Sequence, residues 1–241
     1  MTNCLEVRNI SKIIKGKTAL YPFSMTAEAG ECIALCGGNG AGKSTLLQLI
    51  AGISKPVDGT VFINQVDIKI NRKKYVSFIG YMPDEFFAQE TITVFEFLTF
   101  YGAFRKIPKT RIMEVINILG LEDKKNEQIK NLSKGMKQRL LFGQALIADP
   151  VVLILDEPTN GLDPYWIDVF IDLLKKIKSK GTIVIFSTHM MDVAAEAADK
   201  IIFMDNGKQT EIIKNEHCNS KKFMVDLLKR YRQKDRRNLI F

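Results

Sequence analysis

The chain of 241 residues has no long uncharged hydrophobic run. Its longest weakly charged stretch, Thr91 to Phe104, contains Glu96 and covers only 14 residues, whereas a membrane-spanning helix needs about 20 apolar residues. The N-terminal segment also lacks a basic region followed by an apolar one, so we expect neither a signal peptide nor a spanning helix. With 46% hydrophobic and 26% charged residues, the composition is typical of a globular protein with a full core.

Cysteine and histidine are scarce. The four cysteines, at positions 4, 32, 36 and 218, do not have the spacing of a disulfide framework or of paired metal ligands. Cys32 and Cys36 would share one face of a strand, but they would lie about 13 Å apart, too far to bind one ion. We therefore expect reduced structural thiols. Of the two histidines, His217 lies among polar residues and is assigned no role.

Most of the chain lacks an excess of basic charge. The net charge is +8, but residues 221–241 contain eight Lys/Arg and two Asp, which leaves +2 for everything before them. A nearly neutral body disfavours nucleic acid as a partner. We predict a basic, helical C-terminal tail over 218–241, which either lies on its own domain or faces anionic lipid headgroups. Its apolar residues at helical spacing are Phe223, Met224, Leu227, Leu228 and Tyr231.

A glycine-rich segment separates an apolar run from a stretch of helical periodicity. Gly37 and Gly42 bracket four residues ahead of Lys43 and Ser44, a spacing that lets backbone N–H groups converge on phosphate at a helix N-terminus. The lysine would reach the β- and γ-phosphates, and the Ser44 hydroxyl would ligate Mg²⁺. A simple glycine turn needs neither residue, so we predict nucleotide binding. The predicted phosphate-binding residues are Gly37, Gly38, Asn39, Gly40, Ala41, Gly42, Lys43, Ser44 and Thr45.

Hydrophobic periodicity predicts an α/β fold. The predicted strands cover residues 4–10, 32–36, 60–64, 74–82, 151–155 and 182–186, with a hairpin over 200–207 and a further apolar segment over 18–27. The predicted helices cover 43–52, 164–179 and about 191–198. Helical spacing from Thr91, with Thr93 and Glu96 resembling a capping box, predicts an inserted helical lobe over about 88–148. We expect one domain over 1–217, a P-loop NTPase core with a mixed sheet and an antiparallel N-terminal β subdomain.

Two acidic residues follow the apolar run 151–155. Because ligands bind at the carboxyl ends of strands in open α/β sheets, Asp156 could hold Mg²⁺ through water opposite Ser44. Glu157 faces another way and could take a proton from water attacking the γ-phosphate. An acidic pair at a strand end could also cap the next helix, but its combination with the phosphate loop favours catalysis.

Five motifs in order resemble those of the ATP-binding subunits of ABC transporters, and they cover nearly the whole chain. They are Gly37–Ser44 (Walker A), Leu132–Met136 (signature), Val151–Glu157 (Walker B), Asn160–Asp163 (D-loop) and His189 (switch histidine). The resemblance implies ATP and Mg²⁺ as cofactors, hydrolysis of ATP to ADP and phosphate, and Lys43, Glu157 and His189 as catalytic residues.

The resemblance also implies a homodimer, or a heterodimer with a sister subunit. Ser133 and Gly135, ahead of a helix expected near Lys137, would contact the γ-phosphate bound by the opposite subunit, and Asp163 would lie at the same composite site. The alternative for Ser133 is a simple N-cap, because serine is favoured there in any helix.

Two positions depart from the family pattern. Ile14, or Ile13 if the register slips, stands where an aromatic residue often stacks on adenine. Asp84 stands where glutamine is usual, and its oxygen could still reach Mg²⁺, although it could also belong to a surface turn. The adjacent Phe86–Phe87 pair could dock a partner helix, although aromatic pairs more often pack internally.

The signature and the segment Tyr81–Asp84 look most like those of ABC-2-type exporters. A transport role would require separate integral membrane permease subunits and would place the chain at the cytoplasmic face of the cell membrane. The alternative is a soluble ABC-type ATPase that acts on ribosomes, DNA or cluster assembly. A module that senses nucleotide without hydrolysing it is disfavoured by the presence of both Glu157 and His189.

Overall fold

A computed structural model of the chain describes residues 3–85, 90–215 and 221–237, with the side chains of the last segment described over 223–231. Phe86, Phe87, His217 and Cys218 lie outside these residues, so what was predicted for them stays a prediction. None of the helices in the described ranges combines the length and apolar character needed to cross a membrane.

The secondary structure alternates between strands and helices. The strands in the described ranges are β1 (Cys4–Ile14), β2 (Lys17–Glu28), β3 (Cys32–Cys36), β4 (Thr60–Ile63), β5 (Val66–Asp67), β6 (Ile79–Met82), β7 (Val152–Leu155), β8 (Ile183–Thr188), β9 (Lys200–Asp205) and β10 (Lys208–Lys214). The α-helices there are α1 (Lys43–Ile50), α2 (Arg72–Ser77), α3 (Val94–Ala103), α4 (Lys109–Ile118), α5 (Lys134–Leu146), α6 (Pro164–Ser179), α7 (Met191–Ala197) and α8 (Lys221–Arg237).

Two sheets form the framework. The larger has the order β10-β9-β3-β8-β7-β6, in which only β10 is antiparallel to its neighbour, and the smaller is an antiparallel sheet with the order β2-β1-β4-β5. The predicted mixed sheet and antiparallel N-terminal sheet are therefore confirmed. The parallel strands β3, β6, β7 and β8 end at one edge of the larger sheet, so the residues that follow them meet there.

The larger sheet is covered on both faces, which explains the continuous apolar runs of its central strands. Along β3, Cys32, Ala34 and Cys36 face a core shared with helices α3 to α8. The alternate residues Ile33 and Leu35 face a second core, shared with α1 and the smaller sheet. Among the cysteines within the described ranges, Cys32 and Cys36 are buried and Cys4 is exposed, and no disulfide joins these three.

The two clearest helix signals of the sequence are confirmed. Asp163 caps α6 by accepting the Trp166 N–H at 2.9 Å, and Pro164 occupies the first turn, a position where a missing N–H costs nothing. Thr93 and Glu96 form the predicted capping box at the start of α3.

The strand predicted over 74–82 is partly wrong. Residues up to Ser77 form the short helix α2, which Asn71 caps, and β6 begins only at Ile79. The cause is tertiary, because the fully buried Tyr75 donates its hydroxyl to Ile50 O at 2.7 Å. The helix after the signature begins at Lys134 instead of Lys137, because Ser133 is its N-cap.

The C-terminal helix α8 packs on its own domain. Leu227 is fully buried, and Phe223, Met224, Leu228 and Tyr231 pack around it against the helical core. On the same helix, the Arg230 guanidinium pairs with Asp226 at 2.7 Å and with Glu211 of β10. The predicted apolar residues of the tail, Phe223, Met224, Leu227, Leu228 and Tyr231, are thus used by the fold itself.

We expect Leu227→Ala to loosen α8 locally, because truncating a buried leucine costs about 2–5 kcal/mol and a terminal helix can open without unfolding the rest of the domain. Amide hydrogen exchange should show faster exchange confined to α8. Val225→Ala is the control, since Val225 of the same helix is 45% exposed and its truncation should leave exchange unchanged. Unchanged protection in Leu227→Ala would contradict this docking.

Candidate functional site

The phosphate loop lies between β3 and α1 in a tightly confined space. A Cβ added to Gly37 would lie 2.3 Å from Met204 O, which no side chain can accommodate. Gly42, the N-cap of α1, has φ 95°, and its Cβ would approach Ala19 O at 3.0 Å. Because glycine at the cap has no side chain to occupy the first turn, the N-terminal end of α1 is open to an anion.

Lys43 points into this loop and is only 6% exposed. Its ammonium donates to Gly37 O at 2.7 Å and to Gly38 O at 3.4 Å, and lies 3.4 Å from Glu157 Oε1. The cation is therefore fixed by backbone carbonyls on one side and by a carboxylate on the other. A phosphate bound by the loop would lie beside a positive charge that is already desolvated.

Asp156 is a buried carboxylate held by two hydroxyls. It is 2% exposed, and its Oδ1 accepts from Ser187 Oγ at 2.6 Å and from Ser44 Oγ at 3.1 Å. Burial raises the pKa of the Asp156 carboxyl, the two hydroxyl hydrogen bonds lower it, and the charges of Asp84 and Glu157 raise it further. The site thus concentrates negative charge beside the phosphate loop.

Glu157 links the loop to the end of β8. Its side chain is 13% exposed, and Oε2 lies 2.9 Å from Nδ1 of His189, whose side chain is 55% exposed. The Glu157 backbone has φ 45°, an uncommon value for a residue with a side chain, and its N–H donates to Ser187 Oγ at 2.8 Å. Ser187 belongs to none of the predicted motifs, and only its place after the predicted strand 182–186 pointed to it.

The oxygen donors suit a small hard cation. Ser44 Oγ and Asp156 Oδ1 are adjacent, and Asp84 is close enough for its charge to raise the pKa of Asp156. In the described part of the chain, no group of three or more His, Cys, Asp or Glu residues could hold a metal alone. Mg²⁺ fits such a site, because it takes one or two protein oxygens and completes its shell with phosphate and water. Asp84 Oδ1 also accepts from Asn160 Nδ2 at 2.9 Å.

The signature packs on the D-loop of the same chain. Ser133 Oγ accepts the Met136 N–H at 3.2 Å, so the cap that we considered as an alternative role is present. A Cβ on Gly135 would lie 2.9 Å from Gly161 O, and Asp163 caps α6. These residues gather around the N-terminus of α5, whereas Lys43, Ser44, Asp156, Glu157 and His189 gather at the phosphate loop.

Ile14 lies at the end of β1, next to the hairpin turn to Lys17, and is 46% exposed. Its neighbour Ile13 is 50% exposed. Both aliphatic side chains are therefore available at the surface, and neither can offer the π-face that a nucleotide base stacks on.

Comparison with known proteins agrees with this geometry. A family model described as "ABC transporter" matches residues 20–160. Relatives include the Nod factor export ATP-binding protein I of Sinorhizobium fredii, 33% identical over 85% of this chain and 61% of its own length. Another is the methionine import ATP-binding protein MetN of Clostridioides difficile, 32% identical over 86% of this chain and 68% of its own length.

Among solved structures, a dimeric ATP-binding cassette in a post-hydrolysis state with bound ADP and phosphate is similar to this chain. It is 26% identical, with a TM-score of 0.78, over 88% of this chain and 99% of that one. The likeness therefore extends over almost the whole of a cassette.

We expect Ile14→Tyr to tighten nucleotide binding, because base–aromatic stacking contributes about 1–3 kcal/mol. Dissociation constants for ATP and GTP would be measured by titration for the wild type and the variant. Ile13→Tyr is the matched control on the adjacent, similarly exposed position, and a gain there alone would indicate a slipped register. If neither tyrosine tightens binding, the base is held elsewhere.

Proposed function

The chain belongs to the ABC transporter family as an ATP-binding, ATP-hydrolysing subunit, and we propose that it drives export of a substrate through separate membrane-spanning subunits. The observation that best supports ATP hydrolysis is the cluster at the phosphate loop, where Glu157 lies between Lys43 at 3.4 Å and His189 at 2.9 Å. The export direction rests on the signature and on Tyr81–Asp84, since the relatives include both an exporter and an importer.

Each residue of the cluster has one role in this proposal. The backbone of Gly37 to Thr45 binds the phosphates, and Lys43 neutralises the β- and γ-phosphate charge. Glu157 accepts the proton of the attacking water, and His189 orients that water and the γ-phosphate. Glu157 suits this role because its carboxylate is shielded from solvent and its direction is fixed by the Lys43 ammonium and the His189 imidazole.

Ser44 and Asp156 would hold Mg²⁺, with Asp84 as a further oxygen. The metal supplies charge neutralisation for the phosphates when it is bound. Ser187 keeps Asp156 in place at 2.6 Å. The carboxylate of Asp84 adds a negative charge where a glutamine would be neutral. Mg²⁺ would therefore be attracted more strongly to this site than to one that lacks the charge.

The proposed working state is a dimer, with one chain's signature facing the nucleotide of the other. Ser133 is exposed at the N-terminus of α5, where hydroxyl and backbone donors can meet an anion from outside the chain. The dimer of the similar solved cassette supports this arrangement. Ser133, Gly135 and Asp163 would complete the site of the partner subunit.

A groove of about 400 Å³ supports the proposed membrane partner. Its walls come from the ends of α1, α3 and α5 and from α2 and β6, and Tyr81 connects it to the segment that ends at Asp84. Phe104, which is 73% exposed, lines the groove together with the exposed Arg72. Phe100 packs edge-on against Phe104, with ring centroids 5.1 Å apart, and the half-buried Arg105 holds the wall by donating to the carbonyls of Val76 and Ile79. Exposed aromatic and arginine side chains are typical anchors of protein interfaces. We assign the groove to a permease helix, with the chain at the cytoplasmic membrane face.

Glu157→Gln should bind ATP, accumulate as a dimer and lose at least about 100-fold in hydrolysis, because the amide cannot accept the proton. Phosphate release and size-exclusion chromatography with ATP would measure both effects. Asp168→Asn, a neutralised acid exposed on α6, is the control. Normal turnover by Glu157→Gln would refute the assigned base.

Phe104→Ser should weaken the affinity of the chain for the permease subunits by about 30-fold, and so lower its membrane-bound fraction, because an interface anchor contributes about 2 kcal/mol or more. Membrane fractionation of cells that express the permease subunits would measure it. Ile212→Ser, on β10 and 47% exposed, is the control. Undiminished membrane association would assign the permease contact to another surface.

A further inference from the structure

A buried glutamine joins the signature helix to Glu157 within one chain. Gln138 of α5 is 6% exposed, and its Nε2 donates to the carbonyl oxygen of Glu157 at 3.0 Å. Ser133 caps the same helix five residues earlier. Because an α-helix moves as a rigid element over such a distance, the position of the signature and the position of the Gln138 amide are tied together.

The backbone of Glu157 depends on these bonds for its conformation. Its φ of 45° is unfavourable for a residue with a Cβ and persists only where the surroundings impose it. The Glu157 N–H donates to Ser187 Oγ at 2.8 Å. The Glu157 carbonyl oxygen accepts hydrogen bonds from the Asn160 N–H at 3.1 Å and from Gln138 Nε2 at 3.0 Å. The direction of the carboxylate therefore follows from donors on β8, the D-loop and α5.

The contact between α5 and the D-loop leaves little room for independent movement. A Cβ on Gly161 would lie 2.9 Å from the aliphatic stem of Lys134, and one on Gly135 would lie 2.9 Å from Gly161 O. One residue after Gln138, the Arg139 guanidinium lies 3.8 Å from the centre of the Trp166 ring of α6. A shift of the signature must therefore also shift the turn that carries Glu157.

We propose that Gln138 is a positioning residue that transmits the position of the signature to Glu157, so that a chain hydrolyses its own ATP rapidly only when its signature engages the partner's nucleotide. This rests on the proposed function, because it takes Glu157 as the base and the dimer as the working state. Gln138 is not among the residues assigned above to the nucleotide or to the attacking water. It acts through the Glu157 carbonyl, whose displacement turns the carboxylate relative to Lys43 and His189.

The first test is Gln138→Leu, which removes the donor at similar volume. Because small displacements of a catalytic group cost up to about 100-fold in rate, we expect kcat to fall by about 10- to 100-fold. The dissociation constant for ATP and the ATP-induced dimer, measured in a Glu157→Gln background, should stay unchanged. Gln209→Leu, an exposed glutamine on β10, is the matched control and should keep the wild-type rate.

Gln138→Glu provides a pH-dependent readout, with kcat taken per ATP-bound dimer so that a loss of folded protein at high pH does not enter the comparison. The introduced carboxyl can donate to the Glu157 carbonyl only when protonated, so its rate relative to wild type should rise as the pH falls. If Gln138→Leu does not fold, this pH profile of Gln138→Glu tests the proposal in its place. A flat ratio across pH would overturn the proposal.

A double-mutant cycle of Gln138→Leu with Ser133→Ala measures the coupling between the signature and Gln138. If Gln138 carries the signal from the signature, the double variant should lose little more kcat at saturating ATP than Gln138→Leu alone, whereas independent effects multiply. A wild-type rate in Gln138→Leu, or a multiplicative double variant, would refute the inference while leaving the proposed function intact. Normal turnover in Glu157→Gln would instead refute the proposed function.

Discussion

The site depends on stabilising one buried carboxylate, that of Asp156, inside the protein. A carboxylate that is 2% exposed is strongly destabilising unless donors compensate for its lost hydration. Ser187 on β8 and Ser44 on α1 supply those donors. The same two bonds join the central strand β7 to its neighbour and to the helix that follows the phosphate loop. The two hydrogen bonds that stabilise the Asp156 carboxylate therefore also align β7, β8 and α1 at the catalytic edge of the sheet.

The backbone at this edge is as constrained as the side chains. Gly37 lies against Met204 O and Gly42 against Ala19 O, so the loop cannot widen without displacing β9 or β2. Glu157 is held at positive φ by Ser187 and Gln138. A site with this little freedom is preorganised, which is what stabilisation of a charged transition state requires. Movement is more easily accommodated as a shift of whole elements such as α5.

The elements predicted well from the sequence are those whose signals are local. Asp163 followed by Pro164 specifies where α6 begins, and the run 151–155 specifies a strand covered on both faces. The segment 74–82 could not be predicted in this way, because α2 depends on Tyr75 reaching Ile50 O across the fold. Local patterns carry no information on such distant partners.

The same distinction holds for the site. Lys43, Ser44, Asp156 and Glu157 lie in motifs whose spacing has a chemical meaning, so they could be singled out before the fold was known. Ser187 and Gln138 could not, because a serine at the end of an apolar strand and a glutamine in an amphipathic helix have no distinguishing neighbours. Their importance arises only when β7, β8 and α5 meet at Glu157.

The C-terminal tail shows how a structure narrows a hypothesis based on composition. An amphipathic basic helix can bind a membrane by inserting its apolar face, but in α8 that face surrounds Leu227 in the core of the domain. For residues 223–231, whose side chains the structure describes, any attraction to anionic lipid would then come mainly from charge. Such attraction weakens with salt, whereas binding through an inserted apolar face would not, so the packing of α8 determines which kind of membrane contact residues 223–231 can make.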